Sequence, residues 1–103
     1  MSIELPAATD VAAKLAALGE PTRIRIVDVL RQGASDVTSL ATRLGLEIVN
    51  VSHHLGVMRA AGLVSHRKDG RHVIYTLHPD VCTVAVDGTV FDFGWCRISV
   101  PVS

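Results

Sequence analysis

The sequence predicts a small, mainly α-helical domain with a β-hairpin and a β-rich tail, and three observations point to that class. Apolar residues recur at helical spacing in four segments between residues 9 and 61. Two short runs, 64–68 and 71–77, then flank Asp69-Gly70. After Pro79 the chain reads as β-structure, with Asp87-Gly88 as a hairpin turn. At 103 residues, we expect one domain.

Three helices are expected before residue 46. The first spans about residues 9–18 and the second residues 21–32, with Pro21 in a first helical turn that tolerates it. The third follows caps offered by Ser35 and Asp36, and Gly45 closes it with the left-handed turn that a helix-turn-helix needs. The apolar stripes of these helices are Val11, Leu15 and Leu18; Ile26, Val27 and Leu30; and Val37, Leu40, Ala41 and Leu44.

The fourth predicted helix, residues 48–61, carries the most informative surface. Val51, Leu55 and Met58 lie at the i, i+4, i+7 spacing of a buried face. The opposite face is compact and almost uncharged, whereas a solvated helix face is normally rich in Lys and Glu. Compact donors and acceptors suit contacts to base edges and phosphates in a DNA groove. The outward and flanking residues are Val49, Asn50, Ser52, His53, His54, Gly56 and Arg59.

The predicted hairpin places positive charge beside this helix. Arg67, Lys68 and Arg71 gather at its tip, where they could be solvated side chains or contacts to phosphates or the minor groove. The formal net charge is zero, but residues 43–78 hold five Arg and Lys against only Glu47 and Asp69, together with all five histidines. This distribution suits oriented docking on phosphates. Helix, turn, helix and cationic hairpin together predict a winged helix-turn-helix that binds double-stranded DNA.

Four blocks of the sequence have a recognisable order and spacing. They are ALGEPTRIRIV from Ala17, SLATRLGL from Ser39, VSHHLGVMRAAGLV from Val51 and DGRHVIYTL from Asp69. Together they resemble the ArsR/SmtB family of bacterial transcriptional repressors over about residues 8–77. The resemblance implies a homodimeric winged-helix repressor that leaves its operator when it binds a metal ion or another signal. It also implies that Ser52, His53 and His54 lie on the recognition helix and Arg71 on the wing.

The sequence departs from that family in three places. Residues 35–44 contain no Cys or His, so the metal box that some members carry before the turn is absent. The last helix, which bears metal ligands in other members, is replaced by the tail. The recognition helix opens with Glu47-Ile48-Val49, where Val49 could contact a thymine methyl group or serve in packing.

The tail, residues 79–103, follows a DNA-binding region at residues 1–78 and is expected to dimerise or sense a signal within the same domain. Phe91, Phe93 and Trp95 alternate and so share one face, which could pack on the protein's own helices or form a subunit interface. With Leu15 and Leu18 from the Ala-rich first helix, they make the predicted homodimer interface.

The two cysteines, Cys82 and Cys96, both lie in the tail. A turn at Asp87-Gly88 would set Cys82 opposite Phe93, so a direct disulfide is not expected. The thiols could be small buried hydrophobes. Alternatively, across a dimer or with His78, they could bind a soft metal or metalloid ion or respond to oxidation.

Other functional classes fit less well. The sequence lacks a Gly-rich phosphate loop, a nucleophile elbow and paired carboxylates, so we expect no enzyme. No apolar run approaches the length of a membrane span, and the first residues lack the features of a signal peptide, which predicts a cytoplasmic protein without a membrane partner. The alternative function is a winged-helix module that binds protein instead of DNA.

Overall fold

The computed structural model of the protein describes residues 8–94 and 96–102. Its helices come first along the chain and most of its strands follow them. The elements are α1 (Ala8–Leu18), α2 (Pro21–Leu30), β1 (Ser35–Asp36), α3 (Val37–Leu44), α4 (Ile48–Ala60), β2 (Val64–Asp69), β3 (His72–Leu77), β4 (Cys82–Ala85), β5 (Gly88–Asp92) and β6 (Arg97–Pro101). None of these helices is long and apolar enough to cross a membrane, within the described residues.

The helix-turn-helix, α3 and α4, forms at the predicted positions. The Asp36 carboxylate caps α3 by accepting a hydrogen bond of 2.8 Å from the backbone N–H of Ser39. Gly45 ends the helix in the left-handed conformation, at φ 68°, which an L side chain adopts only with strain. The buried face of α4 is confirmed, because all three of its apolar residues are fully enclosed in the core: Val51, Leu55 and Met58.

The other helix predictions need small corrections. Helix α2 ends at Leu30, two residues earlier than predicted, although its buried stripe is confirmed. In α1, Leu18 is buried but Leu15 is 51% exposed, so the expected apolar stripe is only partly covered. Leu15 lies on a part of α1 that the rest of the subunit does not enclose.

The wing is a three-stranded antiparallel sheet in the order β1-β3-β2. Asp69 pairs with His72, so the two turn residues are Gly70 and Arg71. The prediction of an Asp69-Gly70 turn was therefore wrong by one residue. Gly70 has a φ of 62° and takes the first central position, which is where a tight turn with one positive φ requires glycine.

The tail forms a second antiparallel sheet, β4-β5-β6, which confirms the prediction of β-structure after Pro79. Ala85 pairs with Gly88, so the turn is Val86-Asp87 and not Asp87-Gly88. The shift sets Cys82 opposite Phe91 instead of Phe93. Side chains then alternate between two faces, and one face joins the helical core through residues that are buried on it: Thr89, Phe91 and Val100.

Candidate nucleic-acid interface

The exposed face of α4 begins at its first residue. Ile48 is 50% exposed and Val49 is 75% exposed, and Asn50, Ser52 and His53 follow on the surface. The side chain of the N-cap residue makes no capping hydrogen bond, so backbone N–H groups of the first turn lack that partner. The helix thus presents two aliphatic side chains, an amide, a hydroxyl and an imidazole, which together can contact base edges and a phosphate.

His54 does not belong to this face, although the helical spacing predicts it at the flank. Its side chain is only 18% exposed, and its Nδ1 lies 3.8 Å from a carboxylate oxygen of Glu20. That carboxylate also caps α2 by accepting a hydrogen bond of 3.0 Å from the N–H of Arg23. His54 therefore lies between α4 and the start of α2.

Arg59, at the other end of α4, is directed towards the wing. Its Nη1 lies 3.2 Å from Nε2 of His66, and the His66 ring stacks on Tyr75 with centroids 5.5 Å apart. The guanidinium can only donate, so the hydrogen bond forms when Nε2 is the acceptor. The contact connects the end of the recognition helix to β2 and β3.

The tip of the wing carries three exposed cations. Arg67 lies 3.7 Å from the carboxylate of Asp69, and both side chains are mostly exposed. Such a surface pair is weak and readily exchanged for a phosphate. Lys68 and Arg71 are also exposed, and they form no salt bridge within the part of the chain that the structure describes. The tip can therefore supply positive charge to a DNA backbone.

The wing is also connected to the helix-turn-helix near its turn, through the first residue of β3. Nδ1 of His72 lies 3.1 Å from the carboxylate of Asp36. Hydrogen bonds from Ser39, and then the nearby His72, hold the pKa of Asp36 below its ordinary value. Asp36 also pairs with Ile74 in the wing sheet, so one residue caps α3 and joins it to β3.

The candidate metal ligands do not converge within one subunit. His78 accepts a hydrogen bond of 3.2 Å from the N–H of Asp80 through its Nδ1, and both cysteines are half-buried and free. Cys82 pairs with Phe91, and the N–H of Phe93 donates a 2.8 Å hydrogen bond to the carbonyl of Cys96. The two cysteines are thus two strands and two residues apart, which corresponds to roughly 12 Å between Cα atoms.

That separation exceeds the roughly 7 Å that a disulfide spans, and it is too great for one ion to bind both sulfurs. Among the described residues, no three His, Cys, Asp or Glu side chains are grouped to hold a metal ion. Burial raises the pKa of the Cys82 thiol, so that residue is protonated at neutral pH.

The predicted interface residues also divide into two groups. Phe91 and Leu18 are buried in the chain's own core. The burial of Phe91 favours packing of the aromatic row on the protein's own helices over a subunit interface. Phe93 is partly buried beneath the Lys14 ammonium, which lies 5.0 Å from the ring centroid. Trp95 lies outside the described residues. Leu15 keeps a large exposed surface.

One groove on the surface of α1 was not predicted from the sequence. It lies between α1 and α4, has a volume of about 390 Å³, and is lined mainly by small apolar side chains: Ala13, Ala16, Ala17, Arg23, Val57, Ala60 and Ala61. The Ala-rich composition of α1 was its only sequence signal.

Comparison with known proteins matches the region that contains the helix-turn-helix. The family described as bacterial regulatory protein, arsR family, matches residues 20–66. The HTH-type transcriptional regulator NmtR of Mycobacterium tuberculosis is 37% identical over 89 residues, which cover 86% of this chain and 74% of NmtR.

Two solved structures share the fold. The homodimeric winged helix-turn-helix DNA-binding domain of Mb0332 from Mycobacterium bovis superimposes with a TM-score of 0.67 at 27% identity, covering 78% of each chain. The transcriptional repressor BigR from Xylella fastidiosa superimposes with a TM-score of 0.61 at 33% identity, covering 68% of this chain and 71% of BigR.

Proposed function

This chain belongs to the arsR family of bacterial regulatory proteins and is a DNA-binding transcriptional regulator, from which we propose that it acts as a homodimeric repressor on an inverted-repeat operator. The observation that carries the proposal is that the chain exposes both the polar face of α4 and the cationic tip of the wing, and that the Arg59–His66 contact joins these two elements. Both elements are anchored in the core by buried apolar residues. Side-chain contacts made by His54, Arg59 and His72 also connect them to neighbouring elements.

The exposed side chains of the two elements suit different parts of the DNA. Asn50, Ser52 and His53 offer hydrogen bonds to base edges in the major groove. Arg67, Lys68 and Arg71 offer charge to phosphates, which strengthens binding to every sequence and makes binding depend on salt. In a twofold dimer, the half-sites would lie about one DNA turn apart, roughly 34 Å.

Two substitutions separate these roles. Arg71→Ala should weaken binding to specific and unrelated DNA alike, and should reduce the slope of log K against log salt by about 0.9 for each phosphate that Arg71 neutralises. His53→Ala should instead change which sequences are preferred. Fluorescence anisotropy at several salt concentrations measures both effects. Arg97→Ala, which removes an exposed arginine of β6, is the matched control and should leave the slope unchanged.

An unchanged salt slope in Arg71→Ala would show that the wing does not contact DNA. A protein that binds no DNA in any condition, yet captures a protein partner, would support the alternative of a protein-binding module.

The groove between α1 and α4 supports the homodimer. Leu15 and the small side chains of α1 allow a second helix to approach closely without burying a charge of α1 at that point. Leu15→Arg should therefore shift sedimentation equilibrium towards the monomer and weaken operator binding, since two half-sites must be held together. Val86→Arg introduces the same charge at a side chain that is 96% exposed and serves as the control. A dimer unaffected by Leu15→Arg would place the interface elsewhere.

We further propose that the thiols of the tail receive the releasing signal, as a soft metal, a metalloid or an oxidant. Because Cys82 and Cys96 do not meet within a subunit, an ion held by both thiols would have to bridge two subunits or move the strands. His78 lies one turn before Cys82, whose N–H donates to its carbonyl, and could add a nitrogen ligand. Peroxide would instead oxidise the Cys96 thiolate to a sulfenic acid and itself be reduced to water, because burial disfavours the thiolate of Cys82. Cys82 pairs with Phe91, and the carbonyl of Cys96 accepts a hydrogen bond from the N–H of Phe93; both aromatic residues pack with the helical core.

The signal is tested by measuring operator affinity with arsenite, zinc or peroxide. Wild type should lose affinity under at least one treatment, and the double variant Cys82→Ser, Cys96→Ser should not. A coupling of about 1–3 kcal/mol is typical of such linkage. Unaltered wild-type affinity under all three treatments would make both cysteines structural.

A further inference from the structure

Ile48 and Val49 form an exposed aliphatic patch at the start of the recognition helix. Val49 is 75% exposed and Ile48 is 50% exposed, although both are large apolar side chains. They occupy the first two positions of α4, where polar side chains are normally favoured. Neither side chain belongs to the core cluster or to the residues packed against it.

The surroundings of the patch indicate what covers it. Asn50 and His53 continue the same face, and the wing tip adds Arg67, Lys68 and Arg71. Glu47 is the one acidic residue next to the patch in the sequence. An apolar surface next to hydrogen-bonding groups, on a chain that also exposes the cations of the wing tip, matches a DNA major groove, which is lined by phosphates and contains one kind of apolar group, the thymine methyl.

We propose that Val49, flanked by Ile48, reads a thymine methyl group in each half-site of the operator. This inference rests on the proposed DNA-binding function and adds a sequence requirement to it. The N-terminal residues of a recognition helix are those that contact base edges, so Val49 has the right place as well as the right chemistry. The operator then contains a thymine at one fixed position of each half-site.

The size of the effect follows from the methyl group. Withdrawing one methyl from an apolar contact costs about 0.8 kcal/mol, which corresponds to about fourfold in affinity. A symmetric dimer makes the contact twice, so removal of both methyls should weaken binding about fifteenfold.

The test begins with selection of binding sites from random duplex DNA by the full-length protein. Each symmetric pair of thymines in the selected repeat is then replaced by deoxyuridine, which differs from thymine only by the missing methyl. Wild type should lose about fifteenfold at one pair. Val49→Ser should lose that sensitivity while other thymine pairs behave as before, because serine is short and polar. Val86→Ser is the matched control, since it removes an exposed valine distant in sequence from α4, and should keep the full effect.

Comparing variants separates contact from DNA shape, because any change in DNA flexibility caused by deoxyuridine acts equally on wild type and Val49→Ser. If a repeat is selected but no thymine pair distinguishes the two proteins, this inference is wrong and the proposed function stands. If selection enriches no repeat, both fail. A loss of dimer in Val49→Ser, with unchanged thymine sensitivity, would assign the patch to subunit contact and overturn the inference.

Discussion

Truncation of Phe91 tests whether the tail is part of the same cooperative structure as the helices. Phe91 lies in β5, the central strand of the second sheet, between Cys82 on β4 and Ile98 on β6. It is fully buried and belongs to the core cluster that also contains the helix residues. A hydrogen bond from the Arg31 guanidinium to the carbonyl of Ala85 adds a polar connection between α2 and β4.

Phe91→Ala should lower the free energy of unfolding by about 3–5 kcal/mol, because the substitution removes a buried ring and leaves a cavity. A domain of this size has about 5–15 kcal/mol in total, so the loss is a large fraction of its stability. Val84→Ala, in the same sheet but about half exposed, is the control and should cost less than about 1 kcal/mol.

Urea titration, monitored by two signals, measures this loss. Far-UV circular dichroism reports the helices, and fluorescence reports Trp95, the single tryptophan of the sequence. Both transitions should coincide in wild type and move together to lower urea in Phe91→Ala. A cost below about 1 kcal/mol, or a fluorescence transition that shifts while the helical one does not, would refute the shared core.

Three further predictions concern single positions. Asp36→Asn keeps a capping oxygen but removes the charge. Because folding lowers the pKa of Asp36, the extra stability of wild type should be present above pH 3.8, the ordinary value, and be lost as the pH falls below it. Urea titrations of both proteins across that range measure the difference. Gly45→Ala forces a side chain into a left-handed conformation and should lower the free energy of unfolding by about 1–2 kcal/mol. Gly56→Ala, at a helical position with open space, should raise it by up to about 1 kcal/mol in the same thermal-unfolding assay. Gly88→Ala would bring a Cβ against the carbonyl oxygen of Val100, so the β5–β6 pairing must open; a cost of about 1–3 kcal/mol is expected, and wild-type stability would contradict the register.

The helix-turn-helix could be predicted because its signals are local. The spacing of Val51, Leu55 and Met58 selects one face of α4, and Gly45 supplies a conformation that other residues avoid. The two hairpin turns were each misplaced by one residue, because both were centred on Asp-Gly. In the wing, the glycine takes the first turn position. In the tail, Gly88 lies in the strand, where close passage of Val100 requires it.

The part of the site that could not be predicted depends on contacts between distant elements. A helical wheel gives the direction of His54 and Arg59 from the axis of α4, but not what stands in that direction. His54 meets Glu20 at the start of α2, and Arg59 meets His66 on β2. Both residues are candidates for DNA contact by sequence, but the fold leaves His54 only 18% exposed, whereas Arg59 stays on the surface.

The same reasoning narrows the residues that can recognise a base. Specific readout requires a side chain that the folded protein leaves exposed, on the element that enters the groove. On α4, His54 is the candidate that the fold largely buries, which leaves Asn50, Ser52, His53 and Arg59 from the original prediction, and the exposure of Val49 adds a fifth. Val49 is the apolar side chain in this set, whereas the others are polar. It is therefore the position at which this chain should differ most in operator preference from relatives that carry a polar residue there.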